Sequence, residues 1–177
     1  NTIDQFLIEN GKLDLLIDEC DSLDIKILAR ERAKDFRIPV LLETSDRGML
    51  DVERFDLEPD RAILHGAMGK FSHGDLKDLT QQQKVSIGLR ITGASTISTR
   101  MKASLLEINQ TISSWPQLAS AVYLGGATVA HVGRKLLLND AVASGRYYVD
   151  LDQIVNIKPN QTVQKQVYTK SPADYFI

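Results

Sequence analysis

Pro39 constrains the amino-terminal part of this chain more than any other residue. The residue before a proline is pushed toward extended geometry, so a helix arriving at Arg37-Ile38 must stop there. Upstream, Ile25, Leu28, Ala29 and Phe36 recur at helical spacing behind a cap at Asp21 or Ser22. Before that cap, Leu13-Asp14-Leu15-Leu16-Ile17 is a short apolar run suited to a mostly buried strand. Val40-Leu41-Leu42 follows the proline as a second one. A strand, a helix and a strand within about 30 residues form a right-handed parallel unit. An opening helix over Thr2 to Glu9, with Ile3, Phe6 and Leu7 on one face, ends at Asn10-Gly11. The expected class is therefore α/β.

Beyond the parallel unit the pattern changes. Glu43 to Asp60 holds seven carboxylates (Glu43, Asp46, Asp51, Glu53, Asp56, Glu58, Asp60) against Arg47 and Arg54. Within it Leu50 and Val52 alternate with Asp51 and Glu53, which predicts an extended edge element, and the alternation slips phase at Phe55 and Leu57. Residues 74–138 read as mainly helical. Thr80 and Gln83 fit a capping box, although Val85, Ile87, Leu89 and Ile91 alternate as a strand would; helix is the reading adopted. Ile97, Met101, Leu105, Ile108 and Ile112 mark an amphipathic helix behind a Ser95/Thr96 cap. Pro116 opens another, to about Leu138, whose small residues allow a neighbour's backbone to approach closely. Tyr147 to Leu151 reads as a strand. Residues 1–155 are expected to form one unit and 156–177 a tail or linker.

Composition removes several classes of function. Lys and Arg number 21 against 23 Asp and Glu, a formal charge of −2, whereas a sequence-independent nucleic-acid binder needs a basic face. A single cysteine, Cys20, rules out an internal disulfide framework and any multi-cysteine zinc or iron–sulfur site, and points to the cytoplasm. No secretory signal opens the chain, and the absence of an initiator Met is read as a piece of something longer. The longest stretch free of Asp, Glu, Lys and Arg, Ile108 to Gly133, contains Pro116, Gln117 and His131, so no membrane span is expected. The sequons at Asn109 and Asn160 are read as chance matches.

In open α/β sheets, ligands bind outside the carboxyl ends of the strands, beside the helix N-termini that follow. Cys20, Asp21 and Ser22 fall there after the first strand, and Glu43, Thr44, Ser45, Asp46 and Arg47 after the second. Asp21 has two readings: a carboxylate for Mg²⁺, or a plain helix cap. Cys20, with no histidine near in sequence, reads as a small buried residue rather than a nucleophile. His65, His73 and His131 show no ligand spacing, and the acidic run reads as a solvated surface. No Gly-rich phosphate loop appears.

The run Leu15-Leu16-Ile17-Asp18-Glu19-Cys20-Asp21-Ser22-Leu23-Asp24-Ile25-Lys26, then Arg37-Ile38-Pro39-Val40, resembles the second half of the ThiF/MoeB family of ubiquitin-activating-enzyme-like adenylyltransferases. Lys135 to Leu138, Gly145-Arg146 and Tyr148-Val-Asp150 are similar to that family's closing helix and return strand. Asp51 to Asp56, Ser114 to Ala119 and Tyr148 to Asp152 look like bacterial ThiF-type domains that precede a nitroreductase-like domain. The resemblance implies the carboxyl-terminal portion of a Rossmann-like parallel sheet with a helical insertion. It also implies an ATP- and Mg²⁺-dependent activation of a carboxylate, typically on a ubiquitin-like or sulfur-carrier protein, by a homodimer. Asp21 matches the family's magnesium aspartate, and Lys26 stands where the family usually has Arg; together they are the catalytic candidates. Ser45, Asp46 and Arg47 join Asp21 as cofactor-binding candidates. The family's paired CxxC motif is missing, so no zinc is expected, and neither is thiol transfer. The alternative is a non-catalytic ThiF-like module for dimerisation or domain docking.

Overall fold

The computed structural model describes residues 2–114 and 116–155. The tail or linker expected from residue 156, with the Asn160 sequon, and Trp115 lie outside the described residues. α1 (Thr2–Ile8) leads into β1 (Leu16–Ile17), α2 (Leu23–Asp35) and β2 (Val40–Thr44). Leu16 pairs with Val40 and Ile17 with Leu41 in parallel, which is the expected unit. β1 is shorter than the apolar run that predicted it. Its partner strand begins only after Pro39, which has no N–H to give a ladder. Leu13 and Leu15 pack on the core outside the ladder instead.

The sheet continues through β3 (Met49–Glu53) and β4 (Gly145–Tyr148) in the order β1-β2-β3-β4. β2, β3 and β4 pair antiparallel, so the sheet is mixed rather than all parallel. β3 is also not an edge element: β4 covers its outer side, and all five of its residues are buried.

Helices lie on both faces, as the alternation along β2 and β3 requires. Val40 and Leu42 face α2. Ile27, Leu42, Leu64, Met68, Ile87 and Ile91 form one core cluster, and Leu7, Leu16, Ala33, Ile38, Val40 and Phe55 a second. On the opposite face Leu41, Leu50 and Val52 pack against Val129 and Leu136 of α5 (Ala119–Leu137). Every element described between β3 and β4 is helical: two short 3-10 turns at Ile63–Gly66 and His73–Leu76, then α3 (Gln81–Thr92), α4 (Thr99–Glu107) and α5.

α3 is the helix that the capping box implies. The Thr80 N–H donates to Gln83 Oε1 at 2.9 Å, and the Gln83 N–H to Thr80 Oγ1 at 3.3 Å. Ile87 and Ile91, one turn apart, are its buried residues. α4 is shorter than the Ile97–Ile112 spacing predicts, and its cap is Ser98 rather than Ser95 or Thr96. A distant residue decides this: Asp46 accepts from both Ser98 N and Ser98 Oγ, at 2.7 and 2.6 Å. Asn109, at φ 66°, turns the chain back so that Ile108 and Ile112 form an isolated bridge. α5 begins three residues after Pro116. The strand expected over Tyr147 to Leu151 stops at Tyr148, because Asp150 Oδ1 accepts from Asp152 N and Gln153 N and caps α6 (Leu151–Ile154). No helix among the described residues is long and apolar enough to cross a membrane.

Candidate functional site

The chain beyond the carboxyl ends of β1 and β2 opens on a crevice of about 630 Å³. One wall carries Glu19, Cys20 and Asp21, leading into α2; another carries Glu43, Thr44 and Ser45 at the end of β2; α3 supplies Lys84 and Ile91. This is where an α/β sheet binds ligands, because strand ends leave space that the helix starts do not fill.

Asp21 is exposed, lines this crevice and also borders a smaller neighbouring cavity. It does not cap α2. Ser22 holds the N-cap position, and its hydroxyl donates to Asp24 Oδ1 at 2.6 Å. Asp21 makes no hydrogen bond or ion pair among the described residues, so its carboxylate is free to meet a cation in the crevice.

Glu43 is the least ordinary group here. It occupies the α5 face of β2, opposite Leu50, and is only 9% exposed. Its Oε1 is buried and has no hydrogen-bond partner among the described residues. Its carboxyl lies flat against Gly125 of α5, so close that a Cβ there would stand 2.0 Å from Glu43 Cδ. The Glu43 N–H donates to Glu19 Oε1 at 3.1 Å, which sets a second carboxylate beside it. Burial first, and the facing Glu19 charge second, push the Glu43 carboxyl up to about 7.

Lys26 borders the crevice, but its ammonium is bonded to Asp18 Oδ2 at 3.0 Å and is nearly buried. Arg30, fully buried on the next turn of α2, reaches the same carboxylate with Nη1. Its Nε donates to Glu53 Oε2 at 2.8 Å, across the face of β2. Burial acts to raise the Asp18 carboxyl, yet Arg30 and Lys26 beside it hold it below its ordinary value. Glu53 also accepts from Leu64 N. Leu64 and His65 both sit in the left-handed region at this contact, at φ 48° and 55°. Asp51 takes His65 Nε2 at 2.9 Å and Arg146 Nε at 2.8 Å. Arg61 donates to His65 Nδ1, so in the neutral ring Nε2 carries the proton given to Asp51. The acidic run is therefore not a solvated surface: Asp51 and Glu53 are buried ion-pair members beneath α2, and Asp56 and Glu58 pair with Arg54 and Arg61.

The remaining candidates are distributed elsewhere. Ser45 lines the crevice with Asp21, while Asp46 and Arg47 border a separate groove of about 570 Å³. Asp46 is committed to Ser98. Arg47 bonds Asp150 Oδ2 and Thr96 O, both at 2.7 Å, and lies over the Tyr148 ring. Cys20 is half-buried on the crevice wall, its N–H given to Asp18 Oδ1. His65, His73 and His131 sit on three different elements, and His73 pairs with Glu31. Among the described residues no three His, Cys, Asp or Glu side chains are grouped to hold a metal ion. Sequence reasoning placed Glu43 at the strand end without giving it a role. The available signal was a carboxylate continuing the apolar run Val40-Leu41-Leu42.

An uncharacterized protein of Mycobacterium tuberculosis (strain CDC 1551 / Oshkosh) is 45% identical to this chain over 150 residues. The match covers 85% of the chain but 21% of that protein, so the chain spans about a fifth of its relative's length. No family model matches the chain, and no solved structure does. Likeness to a longer protein without an assigned role leaves the crevice itself as the guide to function.

Proposed function

We propose that this chain forms the strand-end crevice of an ATP-dependent adenylyltransferase of the ThiF/MoeB type, a Rossmann-like domain that activates a carboxylate of a ubiquitin-like or sulfur-carrier protein. The observation that carries this reading is Asp21: an unpartnered carboxylate at the mouth of a crevice outside two parallel strand ends.

A magnesium ion fits that donor. Mg²⁺ binds through one or two carboxylates, keeps several waters, and takes its other oxygens from phosphates. The triphosphate fits these residues less completely. Lys84 is the crevice cation left without an ion pair among the described residues, since Lys26 is held by Asp18. Most of the phosphate-binding charge must then come from the longer protein of which this chain would be a part. Mg²⁺-ATP, when bound, would supply an electrophilic α-phosphoryl group with pyrophosphate as its leaving group, so that a carboxylate oxygen could form the acyl-adenylate bond as the bond to pyrophosphate breaks. Asp21 would hold the metal against the strand ends, and Thr44 and Ser45 border the same space. Lys26 acts through Asp18, fixing the loop that carries Asp21: the Cys20 N–H is bonded to that same Asp18 carboxylate. The test is Mg²⁺-dependent ATP binding and ATP–pyrophosphate exchange by the full-length protein and its Asp21→Ala variant. Loss of at least tenfold in the variant is expected, since removing a metal ligand removes transition-state charge stabilisation worth more than about 1.4 kcal/mol. Equal rates would overturn the assignment.

The outer side of α5 favours the second reading, a module for dimerisation or docking. Val122, Tyr123, Gly126, Ala127 and Ala130 are exposed there, and no charged residue interrupts them. Continuous exposed apolar surface of this kind marks interaction sites. Sedimentation of the chain with Tyr123→Asp as control decides: a monomer in both would remove this reading.

A further inference from the structure

Glu43 sits in a crevice already rich in carboxylates, and nothing in the described protein satisfies it. We propose that the Glu43–Glu19 end of the crevice is a binding site for a primary ammonium group carried on a short aliphatic chain. Four observations lead there. The first is the orphaned acceptor. Glu43 is 9% exposed, lines the crevice, and has a buried Oε1 with no donor, a state that costs free energy until a donor arrives. The second is its setting. Gly125, with no side chain, lets the Glu43 carboxyl lie against α5, and the Glu43 N–H holds the Glu19 carboxylate on the adjoining wall. An ammonium has three donors and one charge, so it can serve both carboxylates at once.

The third observation is the protein's own cations. From α2, Lys26 is spent on Asp18 at 3.0 Å; from α3, Lys84 is exposed and unpaired among the described residues; α5 presents Gly125. The loop after β1 adds Glu19 and Asp21, so the groups facing Glu43 leave an excess of negative charge. The fourth is the lining. Leu42, Val85, Ile91 and Ile108 border the same space and offer apolar contact to methylene groups. A bare divalent metal fits less well. It needs six or more oxygens, and no three-ligand group is present among the described residues.

The site does not depend on the adenylation reading, and its test uses no nucleotide. The full chain, labelled with ¹³C at glutamate Cδ, is titrated with n-butylammonium, and in parallel with 1-butanol, tetramethylammonium and Mg²⁺. Butylammonium should shift the Glu43 and Glu19 Cδ resonances saturably at millimolar concentration. Butanol lacks the charge and tetramethylammonium lacks the N–H donors, so neither should do so. Glu43→Gln should weaken binding at least tenfold, equivalent to about 1.4 kcal/mol. If that variant does not fold, the wild-type chain carries the test alone. Its affinity should rise about tenfold between roughly pH 6 and 8, because the carboxylate must lose its proton to pair with the cation. No saturable shift of Glu43 up to tens of millimolar, or an equal saturable shift of Glu43 with tetramethylammonium or with Mg²⁺, would each overturn the proposal; Mg²⁺ binding that leaves the Glu43 resonance in place reports on Asp21 instead.

Discussion

Gly125 and Gly126 are consecutive on α5, and the structure assigns them different responses to the same substitution. At Gly126 an added Cβ meets no atom within 4 Å. Gly126→Ala should therefore stabilise the chain by about 0.8–1 kcal/mol, the difference in helix propensity. At Gly125 the three nearest atoms to an added Cβ are Glu43 Cδ at 2.0 Å and its two oxygens at 2.3 Å. The carboxyl would have to retreat by well over 1 Å in a packed interface, and overpacking of this kind costs about 1–3 kcal/mol. Set against the propensity gain, Gly125→Ala should range from neutral to about 2 kcal/mol destabilising. In a Glu43→Ala background the obstacle is gone, and the same substitution should become neutral or stabilising. The cycle would then show a coupling of about 1–3 kcal/mol between the two positions. Urea denaturation followed by far-UV circular dichroism measures all five proteins. If Gly125→Ala stabilises as much as Gly126→Ala while Glu43 is intact, the carboxyl is not packed on α5, and the amine site loses its back wall.

Two further outcomes follow from the buried charges. Arg30→Met should cost about 3–5 kcal/mol, because it strands Glu53 and weakens the hold on Asp18. Adding Glu53→Gln, while Asp18 stays paired with Lys26, should recover part of that loss; no recovery would refute the stranded-charge account. The Glu43 carboxyl has an ordinary value of 4.5 and lies at about 7 in the folded chain. The native state therefore keeps a proton that the unfolded state has released, and this contribution, full below 4.5, is lost as pH rises through 7. Glu43→Gln stays neutral, so its unfolding free energy should lack that decline and exceed the wild type's at pH 8; parallel pH profiles would refute this.

The local signals in the sequence were strong where one residue sufficed to set the backbone. Pro39 marked the start of β2 and kept α2 upstream of it, the helix closing at Asp35 with Arg37 at φ 54°; Thr80 and Gln83 started α3, and Asn10-Gly11 closed α1. These devices act within a turn of the chain, which is why they could be read without the rest of the molecule. Asp21 could be placed at a strand end for the same reason, since the strand–helix–strand order alone determines which end of the sheet it occupies. The true length of α4 was not legible, because its cap depends on Asp46, 52 residues away.

The charged residues depart from the sequence expectation for a more general cause. Alternation identified β3, but not whether its polar side met water. Asp51 and Glu53 look solvent-facing until Arg30, Arg146 and His65 are brought over them from distant parts of the chain. Whether a carboxylate is paired, solvated or orphaned depends on which side chains surround it, and only the packed structure shows that Asp18 takes Lys26 while Glu43 is left facing Gly125 with no hydrogen-bond partner among the described residues. Short-range backbone sterics and hydrophobic period wrote the order of elements into the sequence; the electrostatic state of each buried carboxylate arose only on packing, when water was replaced by whichever groups the fold brought alongside.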